Sequence, residues 1–145
     1  MQKFKFENMK ENVKKLGSIF LFVSLLAFVF MSFSFIQSAP WVTPDKYKSM
    51  KNPTVANAEN NAVGKALYAK HCKSCHGNFG KGDGPKAASM KTKMPDLTSK
   101  SYKGLPAGEK YYRSFIGRDE MPNFETKIPE VNDRWYVVNY METLK

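Results

Sequence analysis

The chain has 145 residues, 42% of them hydrophobic and 14% aromatic, with a formal net charge of +10. That length holds one small domain plus an appendage and excludes a TIM barrel or a two-domain dinucleotide enzyme. The composition is divided: eight of the 11 Phe lie in residues 1–40, and only Phe79, Phe115 and Phe124 lie beyond.

The first fifteen residues carry Lys3, Lys5, Lys10, Lys14 and Lys15 against Glu7 and Glu11, a basic flank of +3. Residues 16–36 then read LGSIFLFVSLLAFVFMSFSFI, without a charge or a proline. At about 1.5 Å per helical residue this run is about 30 Å long, the thickness of bilayer hydrocarbon. Backbone amides in lipid must bond within their own segment, so an N-terminal transmembrane helix is expected. The basic flank keeps the N-terminus cytoplasmic and puts the rest on the exported, periplasmic or extracytoplasmic side. A cleaved secretory signal is the rival reading, but its apolar region is usually about 7–15 residues. Gln37-Ser38-Ala39 before Pro40 is also a poor cleavage site. The run is read as a retained anchor or uncleaved signal.

Residues 37–59 contain Pro40, Pro44 and Pro53 among Asn and Lys, a composition that disfavours regular structure and predicts a spacer. Trp41 has two readings, an indole at the bilayer interface or one docked on the following domain. Residues 60–145 form that domain, which is small for a self-sufficient core. Three helices are predicted in it. The first is Ala62–Cys72, with Val63, Leu67 and Tyr68 as apolar positions. The second is Gly108–Phe115, closed by Gly117. The third is Val131–Leu144, preceded by Pro129, with Val131, Trp135, Val138, Met141 and Leu144 on one stripe. No alternating strand pattern, internal repeat or nucleotide-binding glycine motif occurs.

Both cysteines fall in Cys72-Lys73-Ser74-Cys75-His76. C-x-x-C-H is the attachment signal for c-type haem. Each thiol adds to one haem vinyl group, and the adjacent imidazole is then placed to bind the iron. A thioredoxin-like dithiol needs a βαβ setting. A zinc site needs about four ligands, and only His71 is left to join the motif. A plain disulfide leaves His76 unexplained. With His76 on the iron, one axial position is open to Met50, Met90, Met94, Met121, Met141 or His71. Met50 lies in the spacer, Met141 on the helix stripe, and His71 beside Cys72. Two Met-Pro pairs remain. Met94 follows His76 by 18 residues, and Met121 by 45, in a loop Arg118–Lys127 after a helix that can carry the chain across.

These residues give the chain its resemblance to the small class I c-type cytochromes, over roughly residues 60–145. The resemblance rests on Gly64-Lys-Ala-Leu-Tyr68 leading into Cys72-x-x-Cys75-His76-Gly77, and on Gly80-Lys-Gly-Asp-Gly-Pro85. It rests also on Met121-Pro122-x-Phe124 and on Arg134-Trp135-x-Val137-Val138-x-Tyr140. It implies an all-α fold of three to five short helices around one haem c, covalent through Cys72 and Cys75. It implies that the first and last helices cross at Gly64, Tyr68, Val137 and Tyr140. It implies His76 and Met121 as axial ligands, and the Pro85 carbonyl as acceptor for the His76 Nδ1–H, with Pro95 as its rival. Tyr102, Tyr111, Tyr112 and Arg113 stay open as partners for the haem propionates.

The implied function is one-electron transfer in a respiratory or related chain at the outer face of the membrane. No acid–base pair or nucleophile remains once the cysteines are thioethers, so the chain is expected not to be an enzyme by itself. The alternatives are a haem subunit of an oxidase or reductase complex and a haem ligand-binding or sensor domain. Residues 41–145 hold 18 Lys/Arg against 11 Asp/Glu, or +7, with Lys70, Lys73, Lys81, Lys86, Lys91 and Lys93 around the haem-attachment half. Solubility accounts for such lysines, and so does a docking face for acidic redox protein partners. Nucleic acid and small-molecule substrates are not expected partners.

Overall fold

The computed structural model describes residues 9, 13–25 and 41–145. The chain divides into two units, Met1–Ala39 and Pro40–Lys145. In the first, residues 13–25 are helical. Leu16, Ile19, Phe20, Leu21, Phe22, Val23 and Leu25 are exposed, and the Ser24 hydroxyl donates back to the Leu21 carbonyl at 2.9 Å. No helix among the described residues is long and apolar enough to cross a membrane. Residues 26–36 of the expected span lie outside the described residues.

The second unit is helical: α1 (Asp45–Lys48), α2 (Ala58–His71), α3 (Lys73–His76), a 3₁₀ turn (Ala87–Ser89), α4 (Lys100–Lys103), α5 (Ala107–Phe115) and α6 (Val131–Thr143). Among the described residues there is no strand, only an isolated antiparallel bridge between Arg118 and Met121, as the all-α reading expected. Helix α2 begins at Ala58, four residues before the expected Ala62. Asn57 caps it, its side chain accepting from the Asn60 N–H at 2.8 Å, and Glu59 stands in the first turn, where the helix dipole favours a carboxylate.

The frame of the domain is the crossing of α2 with α6. Gly64 lies against the carbonyl of Tyr136, so close that any Cβ would overlap it. Tyr68 and Tyr140 pack across the crossing with ring centroids 5.4 Å apart, and Val137 is fully buried. Tyr68 also donates its hydroxyl to the Gly77 carbonyl at 2.9 Å, which ties α2 to the end of α3. Of the stripe expected on the last helix, Trp135, Val138, Met141 and Leu144 are buried as expected, and Val131 is the correction. Val131 is 51% exposed, whereas Arg134, Trp135, Val137, Val138, Asn139 and Met141 are all buried. Helix α6 packs against α5 as well as α2, so more than one of its faces is covered.

From Trp41 on, the expected spacer belongs to the domain instead of standing off from it. Thr43 is buried. Tyr47 packs on Tyr112 at 4.7 Å and stacks on Tyr111 at 6.4 Å. The Tyr47 carbonyl lies where a Cβ on Gly108 would be. Asn52 donates to the buried Asn139 side chain at 2.7 Å, and Asn139 donates to Thr54 at 3.1 Å. The prolines bar a long helix here, but they do not bar packing. Side-chain amides and aromatic rings supply the contacts that a regular element would have made.

Candidate functional site

The Cys72–His76 pentapeptide sits at a break between two helices. Cys72 ends α2, its N–H bonded to the Tyr68 carbonyl at 2.8 Å. The next turn, α3, hangs from the Cys72 carbonyl, which accepts from Cys75 N at 3.2 Å and from His76 N at 2.9 Å. Gly77 then stops the turn with φ at +81°, a conformation that favours glycine.

The Gly80–Pro85 loop folds back on this pentapeptide. Gly82 N donates to the His76 carbonyl at 3.0 Å, Gly84 N to that of Cys75 at 3.1 Å, and Lys86 N to that of Ser74 at 2.8 Å. A side chain on Gly84 would strike the Ser74 and Lys73 carbonyls. The loop's glycines therefore allow one backbone to lie against another, and the pentapeptide is fixed on both sides.

Helix α5 leads to the second half of the site. After Gly117, whose Cβ position is occupied by the Met121 and Pro122 carbonyls, Arg118 and Met121 exchange two backbone hydrogen bonds, each 2.9 Å. Asp119 at the tip has φ +53°, which its short polar side chain tolerates better than most. Three tethers hold this turn. Phe124 N donates to the Phe115 carbonyl at 2.8 Å. The buried Arg134 donates to the carbonyls of Ile128 at 3.0 Å and Glu125 at 3.2 Å. The Glu120 carboxylate accepts from Lys91 N at 3.1 Å and Thr92 N at 2.7 Å, and those two bonds hold its carboxyl below the usual range.

Cys72, His76 and Met121 line one cavity, closed by the apolar side chains of Leu97, Phe115, Phe124 and Val137. Both cysteines are free thiols. Burial pushes the Cys72 thiol up to about 12. Cys75 is half-buried on the same turn but is not part of the lining. His76 is buried, and burial lowers its imidazole's pKa and favours the neutral form. Its Nδ1 finds no hydrogen-bond partner. The expected bond to the Pro85 carbonyl is thus not made. Pro85 is exposed, while Pro95 lines the cavity.

The two Met-Pro pairs have different surroundings. Met94 is not in the lining, and its backbone lies under Gly82. Met141 does reach the cavity, but its sulfur accepts from the Tyr102 hydroxyl at 3.7 Å. His71 faces Phe124 at 6.0 Å and stays outside the lining. Of the open propionate candidates, Tyr102 and Arg113 line the cavity, whereas Tyr111 packs on Phe115 and Trp135, and Tyr112 on Tyr47. Leu97, Ser114 and Phe115 also contribute, without any motif that marks them in the sequence. Trp41 lines it too, which decides for docking between its two readings.

The arrangement pairs thiols and an imidazole with an apolar chamber and a thioether. Among the described residues no group of three or more His, Cys, Asp and Glu could hold a metal ion. The donors instead suit a metal delivered within an organic ring bound through sulfur.

The comparisons agree with that chemistry. The family model for cytochrome c matches residues 62–145. No curated relative matches. A solved structure described as the Kuenenia stuttgartiensis reducing HAO-like protein complex Kustc0457/Kustc0458 is similar at 26% identity with a TM-score of 0.54. The match covers 76% of this chain and 52% of that one, so this chain spans about half the length of the chain it resembles. From the helix that opens onto Cys72 to the last helix, sequence, fold and site chemistry coincide, and the chain belongs to the cytochrome c family.

Proposed function

We propose that this chain is a one-electron carrier in a respiratory or related electron-transport chain, with one haem c held through Cys72 and Cys75 and with His76 and Met121 as its axial ligands. Membership of the family implies covalent haem c, and the residues present fit it. Two free thiols stand on one turn, a buried imidazole follows them, and the chamber beside them is apolar. The observation that carries the ligand assignment is that His76 and Met121, far apart in sequence, line the same cavity as Cys72. When bound, the haem supplies a one-electron iron couple whose potential methionine ligation raises. The chain's part is to hold two ligands still. His76 is held by the bonds of α3 and of the Gly80–Pro85 loop, and Met121 by the three tethers of its turn. A site that keeps both ligands in both oxidation states rearranges little, and fast exchange needs that.

The test is the absorption spectrum of the matured protein. Low-spin iron with the weak far-red band of a methionine–iron(III) bond is the expected result. High-spin iron, or ready binding of CO, would sink the His/Met assignment and favour a ligand-binding domain.

The proposal includes retention at the membrane by the apolar run of residues 16–36, with the haem domain on the exported side. The uncharged length of that run and the exposed apolar side chains of residues 13–25 support it. Lys70, Lys73, Lys81, Lys86, Lys91 and Lys93 are all exposed, and the proposal gives them a role in steering acidic redox proteins. Electron-exchange rates with such a partner should fall steeply between low and physiological salt, and rates independent of salt would remove that role. A second reading, a haem subunit of a larger complex, draws on the similarity to part of a longer chain in a protein complex. Purification of the native membrane protein with its partners separates the two.

A further inference from the structure

Away from Cys72, His76 and Met121, the walls of the cavity are apolar except where Trp41, Arg113, Ser114 and Tyr102 meet it. Trp41 comes from the segment that precedes the family-matched residues 62–145. Its indole Nε1 is buried and has no hydrogen-bond partner. The ring is held from several sides. The Arg118 guanidinium lies over it at 4.5 Å and that of Arg113 at 5.8 Å. The edge of Tyr112 meets it at 6.4 Å. Both arginines already face carboxylates, Arg113 that of Glu109 and Arg118 that of Asp119. The Tyr102 hydroxyl is likewise engaged, on the Met141 sulfur. The indole N–H is a donor on this side of the chamber with no acceptor, and a buried donor in that state is costly unless a ligand completes it.

Haem carries two carboxylates. In a chamber of this kind each must meet a donor, since an unpaired carboxylate in apolar surroundings is strongly disfavoured. We propose that Trp41 is a cofactor-binding residue that donates its indole N–H to a haem carboxylate, so that the segment before the family domain completes the haem site. The two flanking guanidinium groups fix the ring and make the position favourable for an anion. The inference rests on the proposed function only in placing haem in this cavity. It does not depend on which residue is the sixth ligand.

The test uses the matured full-length protein. Trp41→Phe keeps a ring on Arg118 and Tyr112 and removes the N–H. The expected result is a shift of the haem-carboxylate bending band in the resonance Raman spectrum and a lower reduction potential. A carboxylate that has lost its donor puts more negative charge beside the iron and favours Fe(III). Unchanged band and potential in Trp41→Phe would overturn the proposal and leave Trp41 a packing residue. If that variant does not accumulate, the unmodified protein gives the answer. Transfer to D2O should shift the carboxylate band through the exchanged indole N–D, and a band that does not move overturns the proposal. A failed His/Met assignment is distinguishable, because it appears as high-spin iron in the unmodified protein whatever happens at Trp41.

Discussion

Gly64→Ala is expected to lower the unfolding free energy of the matured protein by roughly 3 kcal/mol, at the upper end of what overpacking a core costs. The alanine itself is the better helix former, by about 1 kcal/mol, so the sign depends on which effect is larger. The position decides it. The new Cβ would overlap the Tyr136 carbonyl and crowd the Tyr140 Cβ. A long flexible side chain could swing aside, but a carbonyl in the middle of α6 cannot, so the two helices must separate. That movement would carry Trp135, Val137 and Val138 with it, the fully or nearly fully buried residues of the core. It would also displace Arg134, which holds the turn bearing Met121. The denaturant midpoint reports the loss, at constant slope if the change is purely one of stability. Gly17→Ala is the control, since nothing lies within 4 Å of that position, and it should leave the midpoint unchanged. An unchanged midpoint for Gly64→Ala would mean that the α2–α6 crossing is not close here.

What the sequence made legible follows from the range over which each signal acts. The helix crossing was readable because Gly64, Tyr68 and Tyr140 keep family spacing inside two continuous helices. The attachment turn was readable because its chemistry is confined to five residues, Cys72 to His76. Helix α5 and its stop at Gly117 were readable from local rules, to within one residue at the start. The failures involve contacts between distant segments. Val131 repeats correctly on the apolar stripe, yet it stands at the solvent end of α6 while Arg134 and Asn139 are buried. Arg134 is buried because its donors meet carbonyls of a loop, and Asn139 because Asn52 and Thr54 come to it from more than 80 residues away. Such pairings leave no periodicity. Trp41 had two readings for the same reason, because an indole suits a bilayer interface and a cation-flanked pocket equally well. The Pro85 expectation transferred a family role to a residue that is exposed here, in a loop whose N–H groups, not its Pro85 carbonyl, meet the backbone of Cys75 and His76.

Met121→Ala is the substitution with the largest expected effect on function. Shortening this side chain leaves the turn intact, because Arg118 and Met121 are joined through their backbones. The tethers at Phe124, Glu125 and Ile128 involve other residues. The side chain is half-buried, so the cost in stability should be about 2 kcal/mol, the low end for removing a methionine from a packed site. The matured protein should therefore still fold and still carry its haem, since Cys72, Cys75 and His76 are untouched. What should disappear is the sixth ligand. The expected product has high-spin ferric iron, no far-red methionine band, a ferrous form that binds CO, and a lower reduction potential. Met94→Ala is the matched comparison, a methionine with the same following proline but placed under Gly82 and outside the cavity lining, and its spectrum should be that of the unmodified protein. The pair of variants discriminates sharply. If Met121→Ala keeps the low-spin spectrum, Met121 is not the ligand. If Met94→Ala instead loses that spectrum, the chain must reach the iron through the segment after the Gly80–Pro85 loop. The turn built by Gly117, Asp119 and Arg134 would then be structural, with no part in ligation.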